Sequence, residues 1–128
     1  MRALNSLRNQ SFKDFEIIVI DDNPPEARLE KYPELANLLS EKNTLVVIDD
    51  SPKNAARARN LGLKIANGEW ISYLDDDDAY REQKLEKQIE MAKKSGLPIG
   101  FCGLAYHLGY RLRYKQIDRS EFKNDEML

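Results

Sequence analysis

The sequence has a single cysteine, Cys102, a single histidine, His107, and a single tryptophan, Trp70. One thiol cannot close an intrachain disulfide, so a reducing compartment is expected and the fold must rest on burial and hydrogen bonding. With Ile99, Phe101 and Leu104 around it, Cys102 reads as a buried structural thiol rather than a nucleophile. His107 has no triad partners at a readable spacing and is expected in a turn or on the surface. No apolar run approaches the ~18 residues that cross a bilayer. Met1 to Gln10 also lacks the apolar segment of a signal peptide, so the expected location is the cytoplasm, including the inner face of the membrane. Nor is there an excess of one charge. The 20 basic and 22 acidic residues leave a formal net charge of −2, which offers no footprint for nucleic acid. No Gly-x-Gly-x-x-Gly follows an apolar stretch and no Walker loop is present, which excludes the usual dinucleotide and P-loop modes of holding phosphate.

What remains is an ordinary globular composition, 41% hydrophobic and 33% charged over 128 residues. A chain of this length buries roughly two thirds of its unfolded surface, enough for one compact domain with a core. Three short apolar stretches follow one plan. Phe15 to Ile20 stops at Asp21-Asp22-Asn23-Pro24-Pro25, Leu45 to Ile48 stops at Asp49-Asp50-Ser51-Pro52, and Trp70 to Leu74 stops at the four aspartates Asp75 to Asp78. Each reads as a buried strand running into acid. Between them, Glu26 to Glu41, interrupted by Pro33, and Lys53 to Ala66, with Ala58, Leu61 and Ile65 at helical spacing, read as helices. A further helix over about Arg81 to Lys94 places Leu85, Ile89 and Ala92 on one face, its charges forming a solvated surface. Beyond Gly96 and Pro98, Ile99 to Tyr106 and Tyr110 to Ile117 flank a turn at His107-Leu108-Gly109 and predict a hairpin, with Arg111, Arg113 and Lys115 making one basic face. Strands about 27 residues apart with helices between them imply parallel crossovers, so the fold class is α/β with a mostly parallel, Rossmann-like sheet and flanking helices. Ligands of such sheets sit beyond the carboxyl ends of the strands, where all three acid clusters fall.

Four adjacent carboxylates repel one another, and a bound cation would relieve the repulsion. Hard oxygen ligands suit Mg²⁺ or Mn²⁺, and Mg²⁺ commonly uses one or two carboxylates, completing its octahedron with waters and phosphate oxygens. Simpler readings stand beside this one. Aspartates are common at strand ends, and Asp78 could cap the following helix. An EF-hand is excluded because Tyr80 occupies the place that requires glycine, counting Asp75 as the first position. A phosphorylatable aspartate assisted by Mg²⁺ is a further reading of an acid rim on a parallel sheet.

The string Asn54-Ala55-Ala56-Arg57-Ala58-Arg59-Asn60-Leu61-Gly62, followed by Ala66-Asn67-Gly68-Glu69 and Leu74-Asp75-Asp76-Asp77-Asp78, resembles the family 2 glycosyltransferases. Their pattern runs Ala-Arg-Asn-x-Gly, Ala-x-Gly-Glu and Leu-Asp-x-Asp-Asp. Upstream, Gln10 to Asp22 is similar to the family's helix-to-strand segment, and the resemblance covers Leu4 to Leu85 and, more faintly, continues to Tyr114. It implies a GT-A fold, an inverting mechanism and a nucleoside diphosphate sugar as donor, a UDP-sugar before others. By resemblance Asp21 and Asp22 border the base, with Asp22 accepting a hydrogen bond from it, Asp76 faces the ribose, and Asp75 and Asp77 form the metal-binding Asp-x-Asp pair. Arg59 either contacts phosphate or supports the acidic loop by an ion pair. Lys53-Asn54 stand where many relatives have a glycine pair, asparagine being tolerant of left-handed geometry, and Asn23-Pro24-Pro25 stiffens the turn near the base. Relatives begin with another apolar strand and continue into an acceptor half that carries the catalytic base. Residues 1–128 are therefore expected to be a truncated donor-binding domain with no catalytic base of its own and an unknown acceptor. An exposed sheet edge would then be open to self-association. The rival class is a noncatalytic nucleotide- or metal-binding or association domain.

Overall fold

A computed structural model describes residues 2–97, 100, 102 and the two strands 104–108 and 111–115. The chain forms two compact units, Met1–Glu86 and Lys87–Leu128.

The first unit contains helix α1 (Arg2–Arg8), strand β1 (Ile17–Asp21), helix α2 (Ala36–Leu39), strand β2 (Thr44–Ile48), helix α3 (Ala55–Ile65) and the start of helix α4 (Lys84–Ser95). β1 and β2 are the β-branched runs expected from the sequence. They pair in parallel, in register from Ile17 opposite Thr44 to Asp21 opposite Ile48. The Asp49 amide donates to the Asp21 carbonyl at 3.0 Å, carrying the pairing one residue further. Parallel pairing puts both carboxyl ends together, so Asp21-Asp22 and Asp49-Asp50 leave the sheet at the same end. α3 covers β1 with the face Ala58, Leu61, Gly62 and Ile65, and an added Cβ at Gly62 would touch Ile20 Cγ1 at 3.8 Å. Ile17, Leu35, Leu38 and Leu85 form the buried apolar core.

α3 starts where its sequence provides a cap. The Asn54 side chain accepts from the Arg57 amide at 3.0 Å, which satisfies one of the unpaired donors of the first turn. Asn54 does so from extended backbone, φ −156°, rather than in the left-handed conformation that its glycine-like position suggested. Asn54→Ala is expected to cost about 1 kcal/mol, read as a lower urea midpoint at unchanged slope.

Several sequence expectations are corrected. Glu26 to Glu41 is not one helix but three 3-10 turns, Pro25–Ala27, Leu29–Lys31 and Pro33–Leu35, leading into the four-residue α2. Pro25 and Pro33 each start a turn, and the Leu29 amide is taken by the Asp21 side chain, so no continuous α-helical ladder can run through. Trp70 to Leu74 has strand composition but is irregular. Among the described residues no strand pairs with it, and β1 is paired along one edge only, by β2. The segment is instead held by side chains. The Ser72 and Tyr80 hydroxyls lie 2.7 Å apart, Lys84 Nζ donates to Ser72 Oγ at 2.7 Å, and the Tyr80 hydroxyl reaches the Tyr73 carbonyl. Asp78 caps no helix, because α4 begins at Lys84, and its amide closes a turn on the Asp75 carbonyl at 3.1 Å.

In the second unit α4 runs on to Ser95 and ends at Gly96, whose φ of +66° is the left-handed value that favours glycine; its amide donates to the Ala92 carbonyl at 2.9 Å. Strands β3 (Leu104–Leu108) and β4 (Arg111–Lys115) form the expected antiparallel hairpin. The turn is displaced, since His107 and Leu108 lie in β3 opposite Leu112 and Arg111. The basic face expected of β4 depends on side chains outside the described residues. Cys102 is exposed, against the expectation of a buried thiol.

Candidate acidic site at the strand ends

Asp21 is 2% exposed, and both of its carboxylate oxygens are used within its own loop. Oδ1 accepts from the Asn23 amide at 3.2 Å and from the Asn23 side chain at 2.7 Å, while Oδ2 accepts from the Leu29 amide at 2.8 Å. A buried carboxylate surrounded by donors shapes the turn and leaves little capacity for a ligand. Asp22, beside it, is half-buried.

The second pair divides in the same way. Asp49 is buried and accepts from the Ser51 amide at 3.1 Å and from Arg57 Nε at 3.1 Å, whereas Asp50 is exposed and pairs with Arg28. Hydrogen bonds from the hydroxyl and amide of Ser51, followed by the Arg57 charge, hold the Asp49 carboxyl below its ordinary range. Lys53 Nζ donates to Asn23 Oδ1 at 2.9 Å and ties the two loops together. From the sequence Asp49 and Asp50 were read as one of the three acid clusters but given no individual role, and Arg57 stood in a quoted string without one. An arginine in the first turn of the helix that follows an acid pair at a strand end is the signal that could have assigned them.

Asp75 to Asp78 form a turn in which all four residues are exposed. Arg59, two residues beyond Arg57 on α3, places its terminal nitrogen 2.7 Å from Asp75 Oδ1 and 3.0 Å from Oδ2. The hydrogen bond to Asp75 and its charge keep Arg59 protonated above its ordinary range. Asp76 and Asp77 occupy the two central positions of the turn, and among the described residues their carboxylates have no partner. α3 therefore reaches both the second and the third acid cluster, Asp49 through Arg57 and Asp75 through Arg59. Of the residues expected at the site, Asp75 is ion-paired, Asp21 is engaged in its own loop, and Asp76 and Asp77 are presented.

Two further side chains hold the frame. Glu16 Oε1 accepts from the Asn67 amide at 2.6 Å and the Gly68 amide at 3.0 Å, which fixes the segment that leads to Trp70. The Asn67 amide, and then its side chain, hold the Glu16 carboxyl below the ordinary glutamate range. A depressed folded value stabilises the fold above the unfolded value and loses that contribution as pH falls. The stability gap between wild type and Glu16→Gln is accordingly expected to be widest above about pH 4.3 and to close on acidification through that range, measured as urea midpoints against pH. The second is Gln10, only 1% exposed. Its Nε2 donates to the carbonyls of Ser6 at 3.0 Å and Arg81 at 2.8 Å, and its Oε1 accepts from the Leu85 amide at 3.1 Å.

The model of the family described as glycosyl transferase family 2 matches residues 1–127. The chain belongs to that family. Among the proteins it resembles, an uncharacterized glycosyltransferase of Haemophilus influenzae is 35% identical over 110 residues, covering 80% of this chain and 42% of the relative. The amylovoran biosynthesis glycosyltransferase AmsB of Erwinia amylovora is 29% identical over 97 residues, covering 72% of the chain and 31% of the relative. An Escherichia coli relative, WfgD, is 33% identical over 95 residues, covering 74% of the chain and 36% of its own length. That relative is named UDP-Glc:alpha-D-GlcNAc-diphosphoundecaprenol beta-1,3-glucosyltransferase. The chain thus spans less than half the length of these relatives. No solved structure matches it. Among the described residues no helix is long and apolar enough to cross a membrane.

Family 2 membership carries the GT-A fold class, to which the α/β arrangement and the parallel pair belong. It also implies a divalent cation. Among the described residues no three His, Cys, Asp or Glu side chains form a ready cage. The available donors, the exposed carboxylates of Asp76 and Asp77, which have no counter-ion among the described residues, are hard oxygens of the kind Mg²⁺ and Mn²⁺ take one or two at a time.

Proposed function

We propose that this chain supplies the donor-binding part of a glycosyltransferase that takes a nucleoside diphosphate sugar, a UDP-sugar before others, and delivers its glycosyl group to an acceptor held outside these residues. The observation that carries the reading is the acidic turn. Its first carboxylate is neutralised by Arg59, while Asp76 and Asp77 stand at the tip without partners among the described residues.

Asp22 accepts from the imide N–H of the base, a donor suited to a carboxylate. Asp21 serves by shaping the loop that carries Asp22, since its oxygens are already filled. Asp76 accepts from a ribose hydroxyl, and Asp77 would hold the Mg²⁺ or Mn²⁺ ion. When bound, the cation neutralises the charge that gathers on the departing diphosphate. The bond from the anomeric carbon to the diphosphate oxygen breaks as the acceptor oxygen bonds to that carbon from the opposite face, with inversion, and the acceptor's hydroxyl proton passes to a base outside these residues. No catalytic base is assigned within this chain. The UDP preference is supported by the Escherichia coli relative, whose name gives UDP-Glc as donor.

Calorimetric titration of the chain with UDP and with UDP-glucose, with and without Mn²⁺, tests the reading. Binding that requires Mn²⁺ is the expected result. A folded chain that binds neither compound at millimolar concentrations in the presence of Mn²⁺ would overturn it.

A further inference from the structure

We infer that Arg59 is a positioning residue that keeps Asp75 out of the metal's ligand set, so that the acidic turn works as one neutralised anchor and two presented carboxylates rather than as a symmetrical Asp-x-Asp clamp. The inference rests on the proposed donor site and departs from the sequence expectation that Asp75 and Asp77 share the cation.

Three observations carry it. The Arg59 terminal nitrogen lies within 3.0 Å of both Asp75 oxygens, so the carboxylate has its counter-ion in place before any ligand arrives. Asp75 is also the first corner of the turn, its carbonyl accepting the Asp78 amide at 3.1 Å, so fixing Asp75 fixes the direction in which residues 76 and 77 project. Arg59 in turn stands on the helix that Asn54 caps and that Arg57 ties to the buried Asp49, which gives the cation a firm base rather than a flexible loop. A divalent cation that took Asp75 would have to displace a guanidinium already in contact with both of its oxygens. Asp77 presents the same chemistry with nothing to displace. The charge arithmetic agrees. Arg59 cancels one of the four adjacent negative charges, lowering the repulsion that would otherwise splay the turn, and the site still attracts a cation through the remaining three.

Because the pair is exposed, its contribution is moderate. A several-fold effect on cation binding is expected, rather than an all-or-none one. A single terminal nitrogen of Arg59 meets both Asp75 oxygens, a contact that a lysine ammonium could also make.

The test reads Mn²⁺ binding directly, by electron paramagnetic resonance of the free ion, in the full chain without nucleotide. Asp77→Asn is expected to weaken binding on the order of tenfold or more, and Asp75→Asn to change it by less than about twofold. Arg59→Gln is expected to tighten binding about three- to tenfold by releasing Asp75, adding Asp75→Asn to that variant should abolish the gain, and Arg59→Lys should keep most of the wild-type behaviour. A purely structural role for Arg59 would weaken binding in Arg59→Gln and leave the second substitution without effect. That result overturns the inference, as does an Asp75→Asn loss equal to that of Asp77→Asn; both leave the proposed donor site standing. Absence of Mn²⁺ binding in wild type overturns the inference together with the metal-binding part of the proposed function.

Discussion

Asp77→Asn is expected to lower the affinity for UDP in the presence of Mn²⁺ by on the order of 100-fold, while leaving the weak metal-free binding unchanged. The asymmetry is the informative part. A carboxylate that met the nucleotide directly would matter with or without the metal, whereas one that acts through the cation matters only when the cation is there. Asparagine keeps the volume of the side chain and loses the negative charge, so the turn held by Arg59 and the Asp78 amide is preserved. Asp78→Asn, at the far corner of the same turn, is expected to change the affinity far less. Equal losses at 77 and 78 would mean that the turn attracts the cation by bulk charge alone. The experiment is a pair of calorimetric titrations for each variant, with circular dichroism as the check on folding.

Gln10→Ala is expected to destabilise the first unit by about 3 kcal/mol, seen as a lowered urea midpoint. The side chain is buried, and its amide makes three hydrogen bonds, to the Ser6 and Arg81 carbonyls and from the Leu85 amide. Removing it leaves backbone groups unsatisfied in a place where water cannot fully replace it, and each such group costs roughly 1–3 kcal/mol. The neighbouring bonds from the Ser11 amide to the Glu82 carbonyl at 2.8 Å and from the Tyr80 amide to Ser6 Oγ at 3.0 Å remain. They keep the loss below a full undocking of α1. Gln10→Glu is a sharper probe, because it retains the acceptor for Leu85 but replaces two donations with a buried charge. It is expected to cost at least as much as alanine at neutral pH.

Where local pattern decides structure, the sequence was legible. β1, β2, α3 and the apolar face of α4 are short-range features, set by β-branched runs, a capping asparagine and a 3.6-residue period. The fate of Trp70 to Leu74 was not local. Its composition suits a strand, but a strand exists only where another offers it a ladder, and that partner cannot be read from the segment itself. The region after Asp21 failed for a different reason. The apolar spacing of Glu26 to Glu41 suits a helix, but Pro25, Pro33 and the claim of Asp21 on the Leu29 amide break it into turns. At the site, the sequence marked which stretches are acidic but not which acids are free. Asp21 and Asp49 are occupied by donors two and eight residues further on, and Asp75 by Arg59, sixteen residues before it, and the acid runs themselves do not show which of these bonds will form. Gln10 and Glu16 lay in quoted strings without a role, because a polar side chain gives no sign in sequence of the distant backbone it will bond.

The Gln10 bonds also bear on how the chain is made. They join residues 71 and 75 positions apart in sequence, so they belong to the last part of this unit to emerge during synthesis. At about 5–20 residues per second, that separation is a wait of roughly 4–15 s. During that interval β1 and β2 can already have paired while α1 is held by the Arg8 to Glu41 ion pair and lacks the Gln10 bonds to Arg81 and Leu85. Closing so long a loop carries a somewhat larger entropic cost than the shorter β1 to β2 crossover does. The N-terminal helix therefore joins the fold late, and a ribosome-bound chain stalled before Arg81 should leave residues 2–8 open to proteolysis.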